Sequence, residues 1–353
     1  MAIQVGIVGA TGYAGVELIR ILSGHPAAKI TAISSVSYEG KAISEVYPSL
    51  RQICDDTLVD EQAVVDACDV VFASLPHGLS ENIAKKCDKK GALFIDLGAD
   101  FRLYDEADYS EWYGGLTYQD KALHQKAVYA LPELFREQIQ GKTILGNPGC
   151  YPTSIGLALF PLLQSGAVDP NTIVIDSKSG VTGAGRGLSL TSHYPECNEA
   201  FSPYKIAMHR HTPEIEQTLS IAAGQPVRVT FVPHLLPVNR GIVSTIYAAG
   251  CGKQSAESIH EILSKAYAGE KFVRVLPLGA AANLKNVKYS NYCDLSVHFD
   301  GRTGRVILVS AIDNMVKGAA GQAVQNMNIA LGLPERGLNW CRPYQHVFGT
   351  TRC

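Results

Sequence analysis

Cysteine and histidine can combine nucleophilic attack with proton transfer near neutral pH, and one cysteine and two histidines of this chain sit in surroundings that suit such chemistry. Cys150 follows the apolar run Thr143–Gly146 and the turn Asn147-Pro148-Gly149, and precedes the apolar stretch Ile155–Leu163, which reads as a helix. A thiol where a strand turns into a helix faces the positive end of the helix dipole and unpartnered backbone N–H groups, which favour thiolate. The same N–H groups can hold the oxyanion formed on an attacked carbonyl. Lone cysteines are usually core residues. Position at the carboxyl edge of a parallel sheet, where open α/β folds bind ligands, singles out Cys150 among the nine. His209-Arg210-His211-Thr212-Pro213-Glu214 is the second segment. Thr212 is expected to cap a helix, with Pro213 at its first position and Glu214 in its first turn. Two histidines at i and i+2 of an extended segment share a face, which also suits a metal pair. No further Cys/His cluster supplies the remaining ligands, so no metal is expected. An imidazole serving Cys150 as acid/base is the better reading.

Gly9-Ala-Thr11-Gly12-Tyr13-Ala-Gly15 lies between an apolar run and a helical pattern. Glycines there permit a sharp turn, approach of a pyrophosphate to the helix N-terminus, and close helix–sheet packing. About twenty residues on, where an NAD site offers a carboxylate to the ribose, the chain has Ser34 and Ser35. With no carboxylate to repel a 2′-phosphate and Lys41 near in sequence, NADP is expected over NAD. Further polar residues cluster after apolar runs: Pro76-His77-Gly78, Asp96-Leu-Gly-Ala-Asp100-Phe-Arg102, and Ser179-Gly-Val-Thr-Gly-Ala-Gly185-Arg186. Arg102 and Arg186 can each grip a phosphate or carboxylate through the guanidinium fork.

The elements that must hold these residues alternate. Residues 3–8, Lys29–Ser35, Val70–Leu75, Ala92–Leu97 and Thr143–Gly146 read as strands, with helices over Val16–Ser23, closed by Gly24, and Leu79–Lys89. Such alternation implies a parallel, doubly wound α/β sheet. The second half changes texture. Ile173–Asp176, the alternating Val227, Val229 and Phe231, then Ile242–Ala249, Tyr292–Phe299 and Arg305–Ile312 read as strands, the last two joined by a tight turn at Asp300–Gly304. An antiparallel or mixed sheet with helices on one face is expected, then a final helix over Val316–Ala330. No linker or repeat separates the halves, so two docked domains are expected, 1–149 and 150–312.

Composition excludes other classes. With 31 basic and 33 acidic residues the formal charge is −2, which argues against a broad nucleic-acid or anionic-membrane footprint. No apolar run approaches the roughly 20 residues of a membrane span. The opening residues lack a basic n-region and cleavage site, so no secretory signal is expected and a cytoplasmic location is. Nine cysteines without a C-x-x-C pair read as reduced thiols.

Taken together, GATGYAG at 9–15, LPHG at 75–78, DLGADFR at 96–102, GNPGCYPT at 146–153, SGVTGAGR at 179–186, HRHTPEI at 209–215, PHLLPVNRGI at 233–242 and DNMVKGAAGQAVQNMN at 313–328 resemble the N-acetyl-γ-glutamyl-phosphate reductases, arginine-biosynthetic relatives of the aspartate-semialdehyde dehydrogenases. The resemblance spans nearly the whole chain, and GNPGCYPT with HRHTPEI is its most specific part. It implies a Rossmann-type NADP-binding domain completed by the C-terminal helix, about 313–353, plus an α+β mixed-sheet catalytic and oligomerisation domain. A homo-oligomer, dimer or tetramer, is therefore expected. It places the nucleophile on Cys150, the catalytic imidazole on His209 and the nicotinamide carboxamide on Asn314. Gly9, Thr11, Gly12, Tyr13, Gly15, Ser34 and Ser35 would hold the rest of the cofactor. Arg102, Asn147, Arg186, His211 and Glu214 are the substrate-binding candidates. Val36 departs from the pattern, standing where relatives often carry arginine. The implied reaction is NADPH-dependent reductive dephosphorylation of an acyl phosphate through a cysteinyl thioester. The HRHTPEI segment tells against aspartyl phosphate, a longer acyl phosphate such as an aminoadipyl derivative stays the rival substrate to N-acetyl-γ-glutamyl phosphate, and a non-catalytic NADP-binding regulator would need neither Cys150 nor His209.

Overall fold

The computed structural model describes residues 2–335, and the remainder of the expected C-terminal element lies outside the described residues. The first sheet has seven parallel strands, in spatial order Leu58–Val59, Ala28–Ser34, Ile3–Val8, Val70–Ala73, Leu93–Asp96, Ile144–Gly146 and Val128–Tyr129. Every residue of Val70–Ala73, Leu93–Asp96 and Ile144–Gly146 is buried, as continuous apolar strands covered on both faces must be. Strand order reverses direction beside Ile3–Val8, and the glycine-rich turn opens there, at the crevice where such folds hold ligands. The following helix spans Tyr13–Leu22, three residues ahead of the apolar periodicity, because extended Gly12 takes the N-cap position. Its C-cap is Ser23, not Gly24; the helix stops without needing a left-handed residue.

The second sheet is mixed, in the order Val273–Val275, Cys293–Asp300, Arg305–Ile312, Ile242–Ala249, Val174–Gly180, Thr230–Leu236 and Ser202–Pro203. Asp300 pairs with Arg305 across the expected hairpin. Along Ile242–Ala249 buried and half-buried residues alternate, one face packing beneath helices Cys150–Gln164 and Ala256–Ala266.

Two helices tie the sheets together. Cys150–Gln164 begins at Cys150 itself, five residues before the apolar run, and Pro152 is tolerated because first-turn N–H groups lack helical partners. The final helix is regular only over Gly321–Ala330 and is preceded by a π-helical turn, Val316–Ala320, which periodicity does not announce. Val316, Ala320, Ala323, Val324, Met327 and Ile329 join the core of the first sheet.

Candidate active site

The Cys150 loop is built for close approach. A Cβ on Gly146 would lie 2.0 Å from the Phe101 carbonyl oxygen, and one on Gly318 would lie 2.7 Å from Cys150 Cβ, so the π-turn packs directly on the nucleophile's backbone. Asn147 is buried and fully engaged: its N–H donates to Asp96 O, Nδ2 donates to Ala319 O at 3.2 Å, and Oδ1 accepts from Asn326 Nδ2 at 3.0 Å. Gly149 N–H donates to Glu214 Oε1 at 2.7 Å, and Tyr129 Oη donates to the same oxygen at 2.9 Å. Arg102 donates from Nε to Asn147 O and from Nη2 to Leu97 O, both at 2.8 Å, while Nη1 pairs with Glu214 at 3.4 Å. Burial disfavours the Arg102 charge, yet Glu214, Tyr113, Asp96 and Tyr129 together outweigh it and raise the pKa. Glu214 thus lies in the first turn of Thr212–Ala223, as expected, and its carboxylate reaches across to the Cys150 loop.

Cys150 occupies the first turn with no side-chain cap before it. The N–H groups of Cys150 and Tyr151 reach its sulfur, and Arg102 adds positive potential. Burial nonetheless outweighs these and pushes the thiol up to about 11. The expected thiolate is thus corrected: without ligand the sulfur holds its proton, because desolvation exceeds what the helix start returns. Cys150 keeps a partly open face toward a cavity of about 860 Å³ that runs between the two sheets.

His209 and His211 share this cavity with Cys150, Tyr151, Arg102, His77, Lys205 and Arg210. The segment is a turn rather than an extended strand, and the imidazole centroids are 4.9 Å apart. Thr212 does not cap the helix. Its N–H already donates to His209 O, so winding starts early and His211 takes the cap position of Thr212–Ala223. His209 Nδ1 accepts from His211 N–H at 3.1 Å, which leaves the proton on Nε2, 3.4 Å from Tyr204 Oη. His211 lies deeper, and a Cβ on Gly149 would come within 2.6 Å of its Nε2. Its Nδ1 is buried without a hydrogen-bond partner among the described residues. Burial, then Lys205 and Arg210, depress His209 to about 3; burial, His209 and Arg102 hold His211 well below the usual range. Both rings are neutral at pH 7. Neither is hydrogen-bonded to Cys150.

Arg210 and Lys205 line the same cavity beside the histidines, without a carboxylate partner among the described residues. Arg210 Nη1 is 2.9 Å from the His77 ring nitrogens, and its guanidinium lies 5.6 Å from the Tyr113 ring centroid. Sequence reasoning passed over both cations. The signal available was their position beside the histidines, not their type.

The glycine-rich turn fits a dinucleotide. Gly9 has φ +83°, and a Cβ there would lie 2.4 Å from Ser74 O; a Cβ on Gly15 would lie 2.4 Å from Gly9 O. Gly12 leaves the helix start uncapped by any side chain, open to a pyrophosphate. Thr11 Oγ1 and Ser35 Oγ are 2.7 Å apart, with Ser34 beside them and Tyr13 exposed at the rim. Asn314 is buried, accepting from Gly241 N–H at 2.6 Å and donating to Thr182 Oγ1 at 3.1 Å, so it anchors the 182–183 turn. Arg186 is not brought to the Cys150 cavity but to the glycine-rich turn. Among the described residues no cluster of three or more His, Cys, Asp or Glu could hold a metal, and no helix is long and apolar enough to cross a membrane.

Residues 4–142 match the family model described as semialdehyde dehydrogenase, NAD binding domain, and residues 150–314 match semialdehyde dehydrogenase, dimerisation domain. Aspartate semialdehyde dehydrogenase II from Vibrio cholerae shares the fold with a TM-score of 0.71 at 18% identity, over 93% of this chain and 98% of that one. Aspartate semialdehyde dehydrogenase with NADP from Candida albicans gives 0.70 at 17%, with the same coverage. The fold and the two matched domains are those of the semialdehyde dehydrogenase class. N-acetyl-γ-glutamyl-phosphate reductase from Brachyspira hyodysenteriae is 58% identical over 97% of this chain and 99% of its own length. The namesake from Clostridium beijerinckii is 52% identical over the same shares. The chain belongs to the N-acetyl-γ-glutamyl-phosphate reductase family.

Proposed function

We propose that this protein reduces N-acetyl-γ-glutamyl phosphate to N-acetylglutamate γ-semialdehyde and inorganic phosphate with NADPH, in arginine biosynthesis. One observation carries the reading: a cysteine at a helix start faces a cavity holding two neutral imidazoles and the cations Arg102, Lys205 and Arg210. A substrate with an acyl phosphate at one end and a carboxylate at the other suits that charge. Cys150 loses its proton to a neutral imidazole as the sulfur attacks the γ-carbonyl, and first-turn amides hold the oxyanion. Phosphate departs and leaves a thioester on Cys150. NADPH, when bound, supplies the hydride that reduces this thioester. Gly9, Thr11, Gly12, Tyr13, Gly15, Ser34 and Ser35 would hold it, and Asn314 would serve its carboxamide. The resulting hemithioacetal collapses to the aldehyde and regenerates the thiol, with His209 moving the proton.

His211 is the second reading for that role. Its Nε2 lies against Gly149, next to the nucleophile, and its Nδ1 has no partner among the described residues. If His209 is the acid/base, His209→Asn lowers kcat by about 10²–10⁴-fold while His211→Asn acts mainly on KM; the reverse pattern exchanges the roles. Arg102 and His211 approach substrate directly, whereas Asn147 and Glu214 serve by fixing the Cys150 loop.

The proposed division runs 1–149 with the C-terminal helix as the cofactor domain and 150–312 as the catalytic and oligomerisation domain of a cytoplasmic dimer or tetramer. Assays with N-acetyl-γ-glutamyl, β-aspartyl and aminoadipyl phosphates, or their semialdehydes in reverse, test the function. The first should show the highest kcat/KM with NADPH. A higher value for either other substrate, or no thiol-dependent turnover at all, rejects the assignment.

A further inference from the structure

Arg186 follows Gly185, whose φ of +83° turns the chain away from the second sheet. Its guanidinium crosses to the first. Nη1 donates to the Thr11 carbonyl at 3.1 Å, and the guanidinium carbon lies 4.8 Å from the Tyr47 ring centroid and 5.4 Å from that of Tyr38. Tyr47 Oη donates to the same carbonyl at 2.9 Å. Thr11 is in turn linked to Ser35. An arginine, two tyrosine faces and two hydroxyls therefore meet where strand Ala28–Ser34 ends, the place at which an open α/β fold receives the adenosine ribose of a dinucleotide.

This cation is uncompensated. Among the described residues no carboxylate pairs with Arg186, and the one carbonyl it touches uses one of five donors. Val36, the residue after the two serines, is 92% exposed and carries no charge. Ser34 and Ser35 offer hydroxyls without repulsion, but neutral hydroxyls alone attract a dianion weakly compared with a guanidinium fork.

We propose that Arg186, supplied by the second sheet's side of the cleft, is the ligand of the cofactor's 2′-phosphate. The inference rests on the NADPH reading above. It also explains a connection within the fold. Ser179, Gly180, Gly183 and Ala184, which wall the Cys150 cavity, lead directly into Arg186. A phosphate held by Arg186 fixes that wall, so the mark that distinguishes NADP from NAD is read by the segment that shapes the substrate cavity.

Calorimetric titration with adenosine 2′,5′-bisphosphate and with 5′-AMP separates the possibilities, since only the first carries the 2′-phosphate. The parent should bind the bisphosphate more tightly. Arg186→Gln should weaken bisphosphate binding by about 10- to 100-fold, the span of a charged hydrogen-bonding contact, and leave 5′-AMP unchanged. Arg186→Lys should recover part of the loss. An Arg186→Gln protein that keeps the parent's ratio, or that weakens both ligands equally, overturns the assignment and leaves Arg186 as a contact between the sheets. A parent without preference for the bisphosphate instead removes the NADPH reading itself.

Discussion

At the scale of single residues the nucleophile and both imidazoles stay uncharged until substrate arrives, in a cavity whose charge comes from its cations. Cys150 is held protonated by burial, and both histidines are held neutral by burial and nearby cations. A thiol facing a neutral imidazole avoids a charge pair that a buried cavity would have to desolvate. The sign is testable. Thiolate is the species that alkylating reagents trap, and a raised pKa keeps it scarce at pH 7. Alkylation of Cys150 in the ligand-free protein should therefore climb about tenfold per pH unit and level off near 11 rather than near the ordinary cysteine value of about 8.5. Peptide-resolved labelling from about pH 6 to about pH 12 reads this directly. A plateau below pH 8 would show that the helix start and Arg102 outweigh burial after all. The charge state of Cys150 was misread from sequence because helix position is visible there and depth of burial is not. Arg210 and Lys205 escaped for the same reason, since a cation without a carboxylate partner is recognised only once its neighbours are known.

At the scale of elements, local chemistry named the pieces and contacts set their ends. Runs such as Ile3–Val8 and Arg305–Ile312 match the strands residue for residue, because alternation or continuous burial ends where the apolar pattern ends. Helix starts are less legible: Tyr13 and Cys150 open their helices ahead of the apolar face, in turns whose glycines carry no hydrophobic signal. The π-turn Val316–Ala320 is the clearest case. Its wider winding presents Ala319 O to Asn147 and sets Gly318 on Cys150, a fit between distant segments that no single-segment pattern contains. Gly318→Ala tests this seam. The added methyl would lie 2.7 Å from Cys150 Cβ and 3.2 Å from its Cα, so one helix must move. Overpacking of this kind costs about 1–3 kcal/mol, and an ångström of displacement at a nucleophile about 10²-fold in rate. Denaturant unfolding and kcat should both fall, with the larger relative effect on kcat; unchanged kcat would show that the π-turn does not position Cys150.

At the scale of the whole molecule the two sheets are assembled around the final helix. Lys317 and Glu133, both fully buried, pair at 2.7 Å, and Gln325 donates to the same carboxylate at 3.0 Å. Leaving such a charge unpaired costs about 3–5 kcal/mol, so this contact keeps the last helix docked and, through Asn326 and Asn147, the Cys150 loop in place. The alternating first half and the sheet-rich second half announced two sheets. Their mutual arrangement was not legible, since it depends on polar residues of the final helix whose burial only the assembled chain decides. The outcome is one cavity with Cys150 on its wall, and the central claim is that this sulfur carries the acyl group. The protein mixed with N-acetyl-γ-glutamyl phosphate in the absence of NADPH, quenched in acid and mapped by peptide mass spectrometry, should carry an N-acetylglutamyl group on the Cys150 peptide, with one phosphate released per group bound and neither event in Cys150→Ser. Phosphate release without acylation of Cys150, or turnover by Cys150→Ser close to the parent's, would contradict the account.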